Sequence, residues 1–338
     1  MADYSKTDKF LHRVYLSNYS LAKAAFEMEL AVFGSKASAE DVKENVFVTG
    51  LARSGTTGVM RQIFNTGQYA SLQYSNMPFL LNPNLWKKKS SIVTHERAHK
   101  DGITIDGNSP EEFDEYFWKL HLNDAYIKSD ALERHQISQD ILDQYKKYIQ
   151  LICFSKGKKK YISKNNNNIL RLEALRKLPN TKIIFLFRHP ASHASSLHKL
   201  HLKFSGEQKK DPFALEYFDF LGHHEFGQHH KPFALTAFLD KARMDFGPHD
   251  INYWLLIWMN YYTYVLKNLN KNDLLICFED LMNNPDRIYQ KLSEKLLNTP
   301  SFNKINKFKS TTKVVNKFAD NLMADCDALY DKLLNYKL

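Results

Sequence analysis

The sequence predicts an α/β protein in which a central parallel sheet is flanked by helices in three layers, with helical insertions. Three observations point to that fold class. Five apolar, β-prone runs alternate with segments of helical periodicity, the pattern that builds parallel sheets covered on both faces. Hydrophobic residues make up 43% of the 338, with 23 Phe and 18 Tyr, enough to fill a sizeable core. The 12 Gly and 10 Pro are scattered rather than gathered into a linker, so one domain over 1–338 is expected. A helical extension over 1–40 and a helical segment over 300–338 complete it. No internal repeat is visible.

Taken in order, the strand-like runs are 45–49, 70–74, 160–163, 182–187 and 274–278, each rich in Val, Ile, Leu, Phe or Tyr. Helical patterns fall between and after them at 110–121, 137–154, 169–178, 191–204 and 251–266. In such sheets ligands bind beyond the C-terminal ends of the strands.

The first run leads into the most telling stretch, Val46-Phe47-Val48-Thr49-Gly50-Leu51-Ala52-Arg53-Ser54-Gly55-Thr56-Thr57. A strand ends at a glycine, turns through small residues and enters a helix starting near Gly58. In that arrangement backbone amides converge on a phosphate. Gly50, Gly55 and Thr57 hold places of the pattern G-x-x-x-x-G-K-[ST], but Thr56 stands where nucleoside triphosphatases have lysine. The available cation is Arg53. The loop therefore suits an anion other than a triphosphate.

With Arg53-Ser54-Gly55-Thr56-Thr57 after a strand, the chain resembles the sulfotransferases that use 3′-phosphoadenylyl sulfate (PAPS) and share the P-loop NTPase architecture. Two later motifs strengthen the resemblance. The run at 182–187 is followed by Arg188-His189-Pro190, a helix opening, and Ser196, similar to the family's 3′-phosphate motif. Leu274-Leu275-Ile276-Cys277-Phe278-Glu279-Asp280-Leu281 is similar to its late strand and E-D-L turn. Segments 71–86, 96–118 and 161–172 also look like a bacterial subfamily, so the likeness runs from about Val46 onward. It implies that Arg53, Ser54, Gly55, Thr56, Thr57 and Gly58 surround the 5′-phosphosulfate, and that Arg188 and Ser196 hold the 3′-phosphate. It implies PAPS as donor, PAP (adenosine 3′,5′-bisphosphate) as product, and no metal. Lys164, directly after the third run, would contact the sulfuryl or bridging oxygens.

The general base is harder to assign. Family members often carry Glu or His near the end of the second strand, where this chain has Gln73-Tyr74-Ser75-Asn76. The nearest suitable groups lie in Thr94-His95-Glu96-Arg97-Ala98-His99-Lys100-Asp101. Histidine is the natural base near neutrality, so His99 with Asp101 as partner or substitute is expected, with His95 or Glu96 in reserve. The cluster His223-His224-Glu225-Phe226-Gly227-Gln228-His229-His230 has the wrong spacing for H-E-x-x-H, and Gly227 disfavours a metal-binding helix. A structural or acceptor-side loop is expected there. Lys309, Lys313 and Lys317 lie where the family places a late basic segment near the 3′-phosphate.

Composition narrows the remaining classes. The net charge of +10 comes from 47 Lys+Arg against 37 Asp+Glu, and a ligand with a phosphosulfate and a 3′-phosphate accounts for it without nucleic acid. No nucleic-acid signature is present. Three separated cysteines give neither a disulfide framework nor a zinc ribbon. No run approaches the roughly 20 apolar residues that span a bilayer, and no signal-peptide pattern is seen. A cytoplasmic enzyme acting on a small-molecule or glycan acceptor is expected. A P-loop small-molecule kinase or NTPase, and a catalytically degenerate nucleotide-binding module, remain as rivals.

Overall fold

The computed structural model describes residues 5–38, 41–86, 95–96, 104–299, 302, 305, 314 and 317–338. Helices α1 (Lys6–Leu16) and α2 (Tyr19–Ser38) precede strand β1 (Glu44–Gly50) and helix α3 (Thr56–Phe64). Then come β2 (Tyr69–Ala70), the pairing β3 (His95–Glu96) and β4 (Thr104–Ile105), α4 (Glu115–Leu122), β5 (Leu132–Glu133) and α5 (Gln139–Lys156). Strand β6 (Lys160–Lys164) leads to α6 (Leu172–Arg176), and β7 (Thr181–Phe187) to α7 (Pro190–Gln208) and α8 (Pro212–Phe220). The chain continues through β8 (Phe233–Ala234), α9 (Phe238–Asp245), α10 (Ile251–Asn268) and β9 (Leu274–Cys277). It closes with α11 (Phe278–Asn283), α12 (Pro285–Lys295) and α13 (Asp320–Leu334).

Five strands form one parallel sheet in the order β2-β6-β1-β7-β9, with β1 at its centre. Alternation along the strands creates the three layers, because successive side chains point to opposite faces. Val46, Val48, Ile184 and Leu186 join Val59, Met60 and Ile63 of α3 and Ile288, Tyr289 and Leu292 of α12 in one core. Phe47, Ile183, Phe185 and Phe187 join the aromatic-rich core formed with α2, α4, α5, α7, α10 and α13. Local chemistry sets several ends. Ser138 caps α5 by accepting from the Ile141 amide, and Gly157 closes the helix at φ 60°. Pro190 opens α7, where its missing N–H costs nothing.

The five expected strands are all present, but their bounds differ in places. The second is only Tyr69–Ala70: an edge strand pairs on one side, and the chain leaves it for a 3₁₀ turn (Tyr74–Asn76) in which the Gln73 amide donates to Asn76 Oδ1 at 2.9 Å. The helix expected from 110 starts at Glu115, since Pro110 is drawn into an isolated bridge with Gln73. The helix expected over 169–178 divides into a 3₁₀ turn (Asn166–Leu170) and α6. Phe278 belongs to α11 rather than to the last strand. Cys153, Cys277 and Cys326 are buried free thiols. Among the described residues, no helix is long and apolar enough to cross a membrane.

Candidate active site

The loop after β1 is built around two glycines that admit no side chain. A Cβ on Gly50 would lie 2.5 Å from Ser54 Oγ and 2.9 Å from the Leu186 carbonyl oxygen. Gly55 has φ 100°, and its Cβ would meet Phe278 Cδ2 at 2.8 Å. Between them Arg53 adopts φ 73°, and the Ser54 amide donates to the Leu51 carbonyl at 3.2 Å. The Gly58 and Val59 amides donate back to Gly55, whereas those of Gly55 and Thr56 meet no acceptor among the described residues. The Gly55 and Thr56 amides at the start of α3 have the disposition that suits an anion.

A second cation stands at the end of the neighbouring strand β7. Arg188 is buried, its Nε donating to Ser192 Oγ at 3.0 Å and its guanidinium lying 4.7 Å over the Phe278 ring. Burial pulls its pKa down to about 10, with Glu279 opposing and Arg53 adding to the fall. It stays charged at neutral pH. The indole of Trp258 donates to the Arg188 carbonyl at 3.0 Å, and the Tyr262 hydroxyl to that of Leu186 at 2.9 Å. The aromatic face of α10 thus braces this strand end. Two turns into α7, Ser196 Oγ accepts from Arg53 Nε at 3.4 Å. The loop residues 53–58, Arg188 and Ser196, far apart in sequence, are therefore brought to the C-terminal ends of two adjacent strands.

On the other side of β1, β6 ends in Lys164, whose buried ammonium is paired with the Glu112 carboxylate. Glu112 also accepts from the Asn166 amide. Burial pushes the Glu112 carboxyl up to about 8 against the pull of Lys164, and Glu225 adds to the rise. Burial alone would lower Lys164, but Glu112, Glu111 and Glu225 hold it above the usual lysine value. The turn is tied to β1: the Asn165 amide donates to Val48, and Asn166 Nδ2 donates to Glu225 Oε1 at 2.8 Å. Beneath lies a fully buried bidentate pair, Arg171 with Glu115, at 2.9 and 2.8 Å.

The family model of the sulfotransferase family matches residues 45–230, the span that holds all three of these strand ends. The chain belongs to the sulfotransferase family. The fold of this sulfotransferase is similar to that of sulfotransferase STF9 from Mycobacterium avium, at 10% identity over 96% of this chain and 84% of that one, with a TM-score of 0.54. Sulfotransferase STF1 from Mycobacterium tuberculosis H37Rv also matches, at 12% identity over 86% of this chain and 76% of that one, with a TM-score of 0.47. A sulfotransferase from Alicyclobacillus acidocaldarius matches at 13% identity over 87% and 97%, with a TM-score of 0.42. No curated protein matches the chain.

The expected bases His99 and Asp101 lie outside the described residues, as do Lys309 and Lys313. His95 and Glu96 form β3, of which only the backbone is described. Glu112 is the residue the sequence reading missed. It lies in a segment read as a helix, where an acid in the first turn looks like an ordinary dipole partner. The histidine-rich loop is knitted internally: His224 and His230 bond the carbonyls of His229 and His224, both at 3.1 Å. Glu225 meanwhile reaches Asn166. Among the described residues, no group of three or more His, Cys, Asp or Glu is disposed to hold a metal ion.

Proposed function

We propose that this sulfotransferase transfers a sulfuryl group from PAPS to a hydroxyl or amine of a small-molecule or glycan acceptor, in the cytoplasm. The observation that supports the reading is the meeting of Arg53 and Ser196 beyond the adjacent strands β1 and β7, where the loop and the Arg188 turn would each take an anion. A donor with a phosphate at each end of its ribose needs two such elements, and the loop's Thr56 in the lysine place argues against a triphosphate. The residues fit the donor. The glycines let the loop close tightly against Ser54, the Leu186 carbonyl and the Phe278 ring, and Arg53 and Arg188 supply charge-assisted donors suited to phosphate oxygens.

PAPS, when bound, supplies the activated sulfuryl group. The loop amides and Arg53 would hold the 5′ end, orient it, and favour charge building on the leaving phosphate. Arg188 and Ser196 would anchor the 3′-phosphate. Lys164 would present a proton and positive charge toward the bridging oxygen. For the acceptor proton we favour Glu112, because its raised pKa and contact with Lys164 give the profile of a base tuned toward neutrality. His99 and Asp101 are the competing assignment.

Calorimetry with PAP and with Mg·ATP, on wild type and Arg188→Ala, tests the reading. Tight PAP binding that is lost with Arg188 and unmatched by ATP is expected. Preference for Mg·ATP, or indifference to Arg188, would return the kinase reading to first place. PAP binding without transfer from PAPS to any acceptor in a broad screen would favour the degenerate binding module.

A further inference from the structure

The first turns of α7 touch both anion-binding elements through three side chains. Ser192 accepts from Arg188 and Ser196 accepts from Arg53. Between them His193 Nε2 lies 2.7 Å from the carbonyl oxygen of Ala52, the residue just before Arg53. A carbonyl only accepts, so Nε2 carries the hydrogen and donates, which leaves Nδ1 as an acceptor. That Nδ1 is buried and has no partner, and the whole residue is sealed from solvent. Burial and the nearby Arg188 and Arg53 pull the ring's pKa down to about 3, so it is neutral.

A buried imidazole with one nitrogen unpaired is a costly choice where an apolar ring of similar size would pack without penalty. What the imidazole adds is the bond to Ala52. Fixing that carbonyl sets the peptide plane that leads into Arg53, whose left-handed φ of 73° is unfavourable for a residue with a side chain and persists only where the surroundings hold it.

We infer that His193 is a positioning residue that couples the loop after β1 to the Arg188 site, by holding Ala52 so that Arg53 stays turned toward Ser196. Its action on ligands rests on the PAPS reading, while its hold on the loop does not. A ligand that engages Arg53 gains from the preset loop. A ligand that engages only Arg188 does not.

Two variants separate these effects: His193→Phe keeps the bulk and loses the donor, and His193→Gln keeps a donor near the Nε2 position. Hydrogen exchange is followed over 51–58 in the ligand-free protein. Binding is measured by calorimetry with PAP, adenosine 5′-phosphosulfate and 3′-AMP. In His193→Phe, exchange over 51–58 should quicken at least tenfold while α10 keeps its protection. PAP and adenosine 5′-phosphosulfate should bind about tenfold more weakly, with 3′-AMP within about twofold of wild type. His193→Gln should recover most of both losses, and adding His193→Phe to Arg53→Ala should weaken PAP no further. Unchanged loop exchange in His193→Phe overturns the proposal. So does an equal loss for 3′-AMP and adenosine 5′-phosphosulfate, the mark of a merely structural role. If the wild type binds none of the three nucleotides but loop exchange responds as stated, the PAPS reading falls and the hold on the loop stands.

Discussion

Gly55→Ala isolates the backbone demand of the loop from its ligand chemistry. At φ 100° an L-residue pays a conformational penalty of about 1–2 kcal/mol. The new methyl would also sit 2.8 Å from Phe278 Cδ2 and 3.2 Å from Cε2, well inside contact distance. Phe278 is itself buried against the guanidinium of Arg188, so the ring cannot simply swing away. Overpacking of that kind costs about 1–3 kcal/mol, giving a total loss of about 2–5 kcal/mol. Urea unfolding of wild type, Gly55→Ala, Phe278→Ala and the double variant reads it. In the Phe278→Ala background the clash is gone and only the conformational part, about 1–2 kcal/mol, should remain. A loss below about 1 kcal/mol in the wild-type background, or an equal loss in both, would refute the argument that the ring and the dihedral act together.

Three further outcomes follow from the buried charges. As a base, Glu112 must be ionised, so kcat should rise with pH through about 8, while Lys164, held above its usual value, stays protonated; Glu112→Gln should remove that limb and lower kcat about 10²–10⁴-fold, and a pH–rate profile unchanged by the substitution would return the role to His99 or Asp101. Arg171→Met strands the buried carboxylate of Glu115 and should cost about 3–5 kcal/mol in urea unfolding, part of it recovered by adding Glu115→Gln. Burial depresses His193 and His224 to about 3 and His201 to about 4, below the ordinary 6.5. The unfolded chain then binds more protons than the native one below pH 6.5, so their contribution is complete above that pH. It is lost as pH falls toward 4, by up to about 1.4 kcal/mol per pH unit for each. A urea midpoint flat between pH 7 and 4.5 would contradict this.

Much of the sheet was legible because its strands are buried on both faces and read as unbroken apolar runs: β1 is buried from end to end, and β7 from its third residue. The edge strand β2 was overread, since Leu72 and Tyr74 carry strand propensity while the Gln73–Asn76 turn, a matter of side-chain hydrogen bonds, overrides it. Loop glycines and strand-end arginines announced themselves because their chemistry is local. Glu112 and His193 did not. The role of each depends on a partner brought in by strand pairing, Lys164 from 52 residues away and Ala52 from 141, and nothing in the neighbouring sequence marks them. Glu225 was singled out only as part of a histidine cluster, and its bond to Asn166 depends on the same long-range folding.

Sheet order adds a constraint that no single motif contains. The three central strands stand in the sequence β6-β1-β7, and their C-terminal ends carry Lys164, the Arg53 loop and Arg188 in that order. On the proposed reading, the donor's 3′-phosphate lies over β7 and its 5′ end over β1, so the transferring sulfuryl group faces β6. That is the side on which Lys164 and Glu112 are paired and on which Glu225 closes from the histidine-rich loop. A kinase arrangement would need a lysine within the loop over β1; here the loop offers Thr56, and the buried lysine stands one strand away beside a carboxylate. The same ordering bears on the acceptor. On the proposed reading the acceptor hydroxyl or amine would approach from the β6 side, where Glu111, Glu112 and Glu225 all act on a single lysine. On that reading, Glu111 and Glu225 beside that lysine would favour an acceptor that is neutral or carries positive charge beside its nucleophile over an acidic one.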